Sequence, residues 1–130
     1  MGTTRVTVSL RVPGTTDVTY EAEFVVDTGA TDCVAPASKL NAAGVRPVGS
    51  MTYQLADGSV HEYQVGIVQI EFMGEITAGR VVFGPENVEP ILGVTALESV
   101  GITVDPVRRT LHRVPAIPLR RASGFSSAAA

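Results

Sequence analysis

Apolar and polar residues alternate along most of this chain with a period of two. Val6, Val8, Leu10 and Val12 interleave with Arg5, Thr7, Ser9 and Arg11, the pattern of a half-buried strand, and Pro13-Gly14 ends it. Val18, Tyr20, Ala22 and Phe24 alternate in the same way with Thr19, Glu21 and Glu23. That second strand turns apolar on both faces at Phe24-Val25-Val26, so it is expected to enter the core just before Asp27. Met51–Ala56 and Val60–Val68 flank Asp57-Gly58, a pair suited to a type I′ hairpin because both turn residues tolerate positive φ. Ile67–Phe72 and Ile76–Phe83 pair around Met73-Gly74-Glu75. Strands at this spacing predict an all-β fold, a small barrel or sandwich.

Two short helices interrupt the alternation. Pro36–Ala43 has Pro near its first turn and Gly44 just past its end. Thr95-Ala96-Leu97-Glu98 reads as a capping box, with the Thr hydroxyl on a backbone N–H and Glu98 reaching back, and Gly101 closes the helix. Asp105-Pro106 turns the chain into a last strand, Thr110–Val114. Residues 118–130 are small and polar without periodicity, which predicts a disordered tail after one domain spanning 1–117.

Composition narrows the class. At 130 residues, 45% hydrophobic and 18% charged, the chain suits one globular domain with a core that needs no staples. The single Cys33 excludes an intrachain disulfide and a cysteine-based zinc site, and no metal or cofactor is expected. No apolar run approaches the ~18 residues of a membrane span, and Met1–Arg5 has no apolar h-region, so a cytoplasmic domain without membrane association is expected. The net charge of −3 speaks against nucleic acid as a partner. All 13 acids lie in residues 1–105, whereas 106–130 hold Arg108, Arg109, Arg113, Arg120 and Arg121 and no acid. That basic stretch reads as a solvated edge or tail. It lacks the interleaved aromatics that stack on bases.

The informative stretch is Phe24-Val25-Val26-Asp27-Thr28-Gly29-Ala30. A carboxylate after three apolar residues sits where a buried strand ends, and a buried acid needs partners or a job. Gly29 permits a tight loop and close backbone approach, and Thr28 offers a hydroxyl for hydrogen bonding. On the tripeptide alone the plainer reading is a strand-to-turn junction, because Asp-Thr-Gly is good turn chemistry.

Context reverses that reading. The stretch resembles the active-site motif of retropepsin-like aspartic proteases, the single-domain branch that includes the retroviral enzymes. Their pattern is two or three apolar residues followed by Asp-Thr/Ser-Gly-Ala. A second signature, an apolar-apolar-Gly turn opening a short helix, is matched by Ile91-Leu92-Gly93 and Thr95–Val100. Leu55-Ala56-Asp57-Gly58-Ser59-Val60 occupies the place of the family's flap hairpin, and Gly101–Pro106 followed by Thr110-Leu111 is similar to the closing segment of bacterial and archaeal members. The resemblance covers residues 3–115. It implies a small closed β-barrel with a flap and one or two short helices, and catalysis by Asp27. Thr28 would brace a dimer loop, Gly29 would accept substrate backbone, and Ala56, Asp57, Gly58 and Ser59 would border the cleft. Where viral members carry an acid–arginine pair, this chain has Thr31 and Val94. Asp32 matches a second, substrate-facing acid of those members, and the flap lacks their Gly-rich tip.

The implied chemistry needs two carboxylates on one water, one sharing a proton and the other acting as base. This chain has one Asp-Thr-Gly, so the simplest completion is a symmetric homodimer donating Asp27 twice. A peptide or protein substrate would lie extended under the flap. The alternative is a non-catalytic dimeric peptide-binding or assembly module that keeps the protease fold. His61 and His112 read as surface residues and Cys33 as a small buried apolar one. Ser38, Ser59 and Ser99 lack a nucleophile-elbow context. Tyr53 and Tyr63 flank the flap, either lining the cleft or packing across strands.

Overall fold

A computed structural model describes residues 3–16 and 18–114. The strands are β1 (Arg5–Arg11), β2 (Tyr20–Asp27), β3 (Cys33–Pro36), β4 (Gly49–Gln54), β5 (Val60–Phe72), β6 (Glu75–Gly84), β7 (Ile91–Gly93), β8 (Ile102–Asp105) and β9 (Thr110–Arg113). The helices are α1 (Ala37–Ala42) and α2 (Val94–Ser99). Asp17 and the expected tail at 118–130, with Arg120 and Arg121, lie outside the described residues.

The alternating pattern becomes a ladder that closes on itself. The seven-stranded sheet runs β1-β2-β7-β3-β6-β5-β4, and an added β1–β5 pairing joins its ends into a ring, leaving β4 as an outrigger on β5. Closure pairs the β1 edge, so among the described strands of this sheet the edge that remains is on β4. At the seam Leu10 faces Ile70, and Arg11 Nε lies 2.7 Å from Glu71. The inward phase of each strand fills the centre. Val8, Leu10, Phe24, Val68 and Leu92 are fully buried, and Leu40 and Leu97 cover the ring from α1 and α2. Strands β8 and β9 form a separate hairpin whose Ile102 joins the core. Arg113 of that hairpin bonds the Glu75 carboxylate and the Met73 carbonyl, so this part of the basic segment is tied to the barrel.

Local expectations met two corrections. The type I′ turn is at Met73-Gly74, where φ is 53° and 76° and Phe72 pairs with Glu75. The Asp57-Gly58 hairpin instead pairs Gln54 with Val60. Gly58 N donates to the Leu55 carbonyl, Leu55 N donates to Ser59, and among these residues only Gly58 has positive φ (88°). That is a type I turn followed by a glycine bulge, because the Asp57 carboxylate takes the Ser59 backbone N–H at 2.8 Å and holds Asp57 at negative φ. The second correction concerns α2. Its N-cap is Gly93 with no side-chain cap, and Thr95 lies inside the helix. The first N–H groups are satisfied elsewhere: Val94 N donates to the Ala30 carbonyl at 2.8 Å and Thr95 N to the Thr31 carbonyl at 3.3 Å. The loop after Asp27 does the work of a capping box. Gly44 (φ 82°) and Gly101 (φ 72°) end the helices where expected.

Candidate active site

The site begins at the end of β2. This strand runs parallel to β7, with Val25, Val26 and Asp27 in register with Ile91, Leu92 and Gly93. After Asp27 the chain crosses the end of β7 and returns as β3 on its other side, where Val34 pairs with Ile91. The segment 27–32 therefore wraps the Leu92-Gly93 turn. Gly93 is buried against it, and a Cβ there would lie 2.6 Å from the Asp32 carbonyl oxygen. The two sequence signatures, far apart in the chain, are one nested structure.

Within the loop Ala30 N donates to the Asp27 carbonyl at 3.1 Å, and Gly29 N donates to the Asp27 carboxylate at 2.9 Å. The carboxylate is thus aimed by the backbone of its own loop. Asp27, Thr28 and Gly29 are exposed, against the expectation of a buried acid. The strand carries its last residue out of the barrel to a surface that the other described residues leave exposed.

Asp27, Gly29 and Ala30 floor a cleft of about 830 Å³. Ile91 contributes to its wall with Val34, Val82 and Val88, and the hairpin covers it through Leu55, Ala56 and Gly58. Tyr53 and Tyr63 both line it, and their rings also pack at 6.4 Å, so the two readings of that pair hold together. Asp57 and Ser59 do not line the cleft; they are occupied in building the turn, and the Ser59 hydrogen bonds hold the Asp57 carboxyl below its usual range. Leu92 belongs to the core. Thr28 stands on the exposed loop outside the lining.

The least anticipated residue is Asp32. It is buried, accepts the Tyr53 hydroxyl at 2.7 Å and pairs with Arg80 Nε at 3.2 Å. It also lines the cleft, so it borders the substrate space as an acid that is already paired. A signal existed in Arg80, a lone cation leading the apolar run Val81-Val82-Phe83. Beside it, burial pushes the Cys33 thiol up to about 11, opposed by a Gly93 backbone hydrogen bond and reinforced by the Asp32 charge. Since the thiolate is the reactive form, folded protein at about pH 8 is expected to resist iodoacetamide until denaturant is added, as read by intact mass. Rapid labelling of the native protein would contradict this burial. Among the described residues no cluster of His, Cys, Asp and Glu is arranged to hold a metal ion, and no helix is long and apolar enough to cross a membrane.

Residues 13–99 match the family model described as "gag-polyprotein putative aspartyl protease". That match spans more than half of the chain, and the chain belongs to this retropepsin-like aspartic protease family. Among solved structures, the EIAV protease complexed with the inhibitor HBY-793 is similar at 21% identity and a TM-score of 0.55, covering 80% of this chain and 93% of that one. The foamy viral protease-reverse transcriptase in complex with an RNA/DNA hybrid is similar at 18% identity and a TM-score of 0.53. That likeness covers 82% of this chain and 14% of the larger one. At these identities the likeness is one of fold. A comparison with curated proteins found no match.

Proposed function

We propose that this chain is an aspartic endopeptidase working as a symmetric homodimer, in which the Asp27 carboxylates of two copies share one water. The observation that carries the reading is a half-built site in an aspartyl protease family member. One carboxylate, aimed by Gly29, floors a hairpin-covered cleft on an uncovered loop. The other described aspartates are engaged elsewhere: Asp32 in its ion pair, Asp57 in its turn, and Asp105 accepting the N–H groups of Val107 and Arg108.

Two carboxylates this close cannot both stay ionised, so the pair holds one proton between them. The ionised member takes a proton from the water as its oxygen attacks the peptide carbonyl carbon, and the protonated member hydrogen-bonds the carbonyl oxygen. The tetrahedral adduct then collapses as the amide nitrogen gains a proton, releasing an acid and an amine and returning the pair to its starting state. An extended peptide fits beneath the hairpin, as strand-like ligands do beside exposed backbone. The walls of Val34, Val82, Val88 and Ile91 favour apolar side chains.

Light scattering of the full chain is expected to give a mass near twice 13.6 kDa. Digestion of a peptide library between about pH 4 and 7 is expected to show cleavage blocked by a statine-type inhibitor. A strict monomer, or cleavage indifferent to the inhibitor, would overturn the reading.

A further inference from the structure

Asp32 is the only acid among the buried polar residues described, its side chain 6% exposed. Its Oδ2 receives both the Tyr53 hydroxyl and Arg80 Nε. Tyr53 stands on β4, two residues before the Leu55 that opens the hairpin loop. Arg80 stands on β6 in the barrel wall, and its Nη1 also reaches Met51 Sδ on β4. Strand β4 is the outrigger of the sheet, paired only with β5. Its remaining side-chain hydrogen bonds to the body of the molecule, among the described residues, run through Asp32 and Arg80.

We propose that Asp32 is a positioning residue that latches the cleft-covering hairpin: its carboxylate joins the loop after Asp27 to β4 through Tyr53, with Arg80 holding the carboxylate in place. The inference rests on the reading of this hairpin as the flap of a peptidase. The physics favours a durable contact. A hydrogen bond to a charged acceptor is about twice as strong as a neutral one, and burial removes competing water. Burial, with the Asp32 hydrogen bond and charge, pushes the Tyr53 phenol up to about 12 despite Arg80, so the donor keeps its proton. The other ionisable groups near Tyr53 are Tyr63, whose ring packs on it, and His61, its partner across the β4–β5 ladder.

The latch makes a prediction separate from peptide cleavage. Tyr53→Phe keeps the ring and deletes the hydroxyl; Asp32→Ala removes the acceptor. In the full chain each is expected to raise amide hydrogen exchange at Leu55 and Gly58 about tenfold, with Val8 and Phe24 unchanged. The double variant should do no more than the stronger single, since both cut one link. With a cleaved peptide, Tyr53→Phe should raise KM about tenfold and leave kcat within about twofold. Flap exchange that stays unchanged, or rises only together with the core, overturns the latch, and so does an additive double variant. Because exchange is read without turnover, a chain that cleaves nothing still decides the latch, while failed cleavage counts against the peptidase reading alone. Should Asp32→Ala fold poorly, the Tyr53→Phe exchange result stands by itself.

Discussion

Replacing Asp27 by Asn is expected to lower peptide cleavage by roughly a thousandfold or more, the scale of losing a general acid–base pair outright. The substitution is nearly isosteric. An Asn side-chain oxygen still accepts the Gly29 N–H that now meets the carboxylate at 2.9 Å, so the loop should keep its shape. On the proposed reading, what disappears is the capacity to take a proton from water, lost twice in a symmetric dimer from one mutation. Among the described aspartates the site has no spare carboxylate to fall back on, because Asp32 is committed to Tyr53 and Arg80. The measurement is mass-spectrometric digestion of a cleaved peptide by wild type and variant, beside light scattering and circular dichroism. Retained activity in a folded variant would place the chemistry elsewhere. A variant that is inactive, folded and dimeric is the expected result.

Gly93→Ala should cost about 3 kcal/mol or more of folding stability, at the upper end of what overpacking does. The backbone at Gly93 is extended, with φ −84° and ψ 168°, so conformation does not demand glycine there. Space does. An added Cβ would stand 2.6 Å from the Asp32 carbonyl oxygen and 2.7 Å from that of Thr31, both backbone atoms of the wrapping loop. Neither side can yield cheaply: the preceding Leu92 is fully buried, and the loop carbonyls hold the first N–H groups of α2. Against a total stability of about 5–15 kcal/mol this is a large fraction. Whatever folds should also carry a displaced Asp27. Gly49→Ala is the control, since a Cβ there meets nothing within 4 Å. Urea unfolding of both variants decides it, and a Gly93→Ala midpoint equal to that of wild type would show that the nested loops are looser than drawn.

Much of this geometry was legible from residue order. The alternation at Val6–Val12 and Val18–Phe24 placed β1 and β2 on their faces, because a one-residue slip would turn every core side chain to solvent. Gly44 and Gly101 marked helix ends through the one conformation that other residues avoid. The failures have different causes. Asp57-Gly58 carried the better type I′ composition, yet Met73-Gly74 adopts that turn, while the Asp57 carboxylate on the Ser59 N–H two residues on selects a different turn. Thr95 looked like a cap, yet the helix starts earlier on carbonyls borrowed from residues 30 and 31, distant in sequence.

The same division separates the two acids of the loop. Asp27-Thr28-Gly29 and Ile91-Leu92-Gly93 were legible in the sequence through their resemblance to the two signatures of retropepsin-like proteases, which carried the family and the candidate catalytic acid. Local chemistry by itself determined the strand phases and read the tripeptide as a turn. Where β7 threads between β2 and β3, and which partners Asp32 finds, depended on how the sheet closes. Arg80 lies 48 residues from Asp32, and no local rule pairs them. Only the closed ring brings them within hydrogen-bond reach and gives this cleft-lining acid its partners on β4 and β6. Among the described residues the tertiary structure likewise left Asp27 exposed, because a carboxylate aimed by its own loop at a surface position is geometry that only packing can produce.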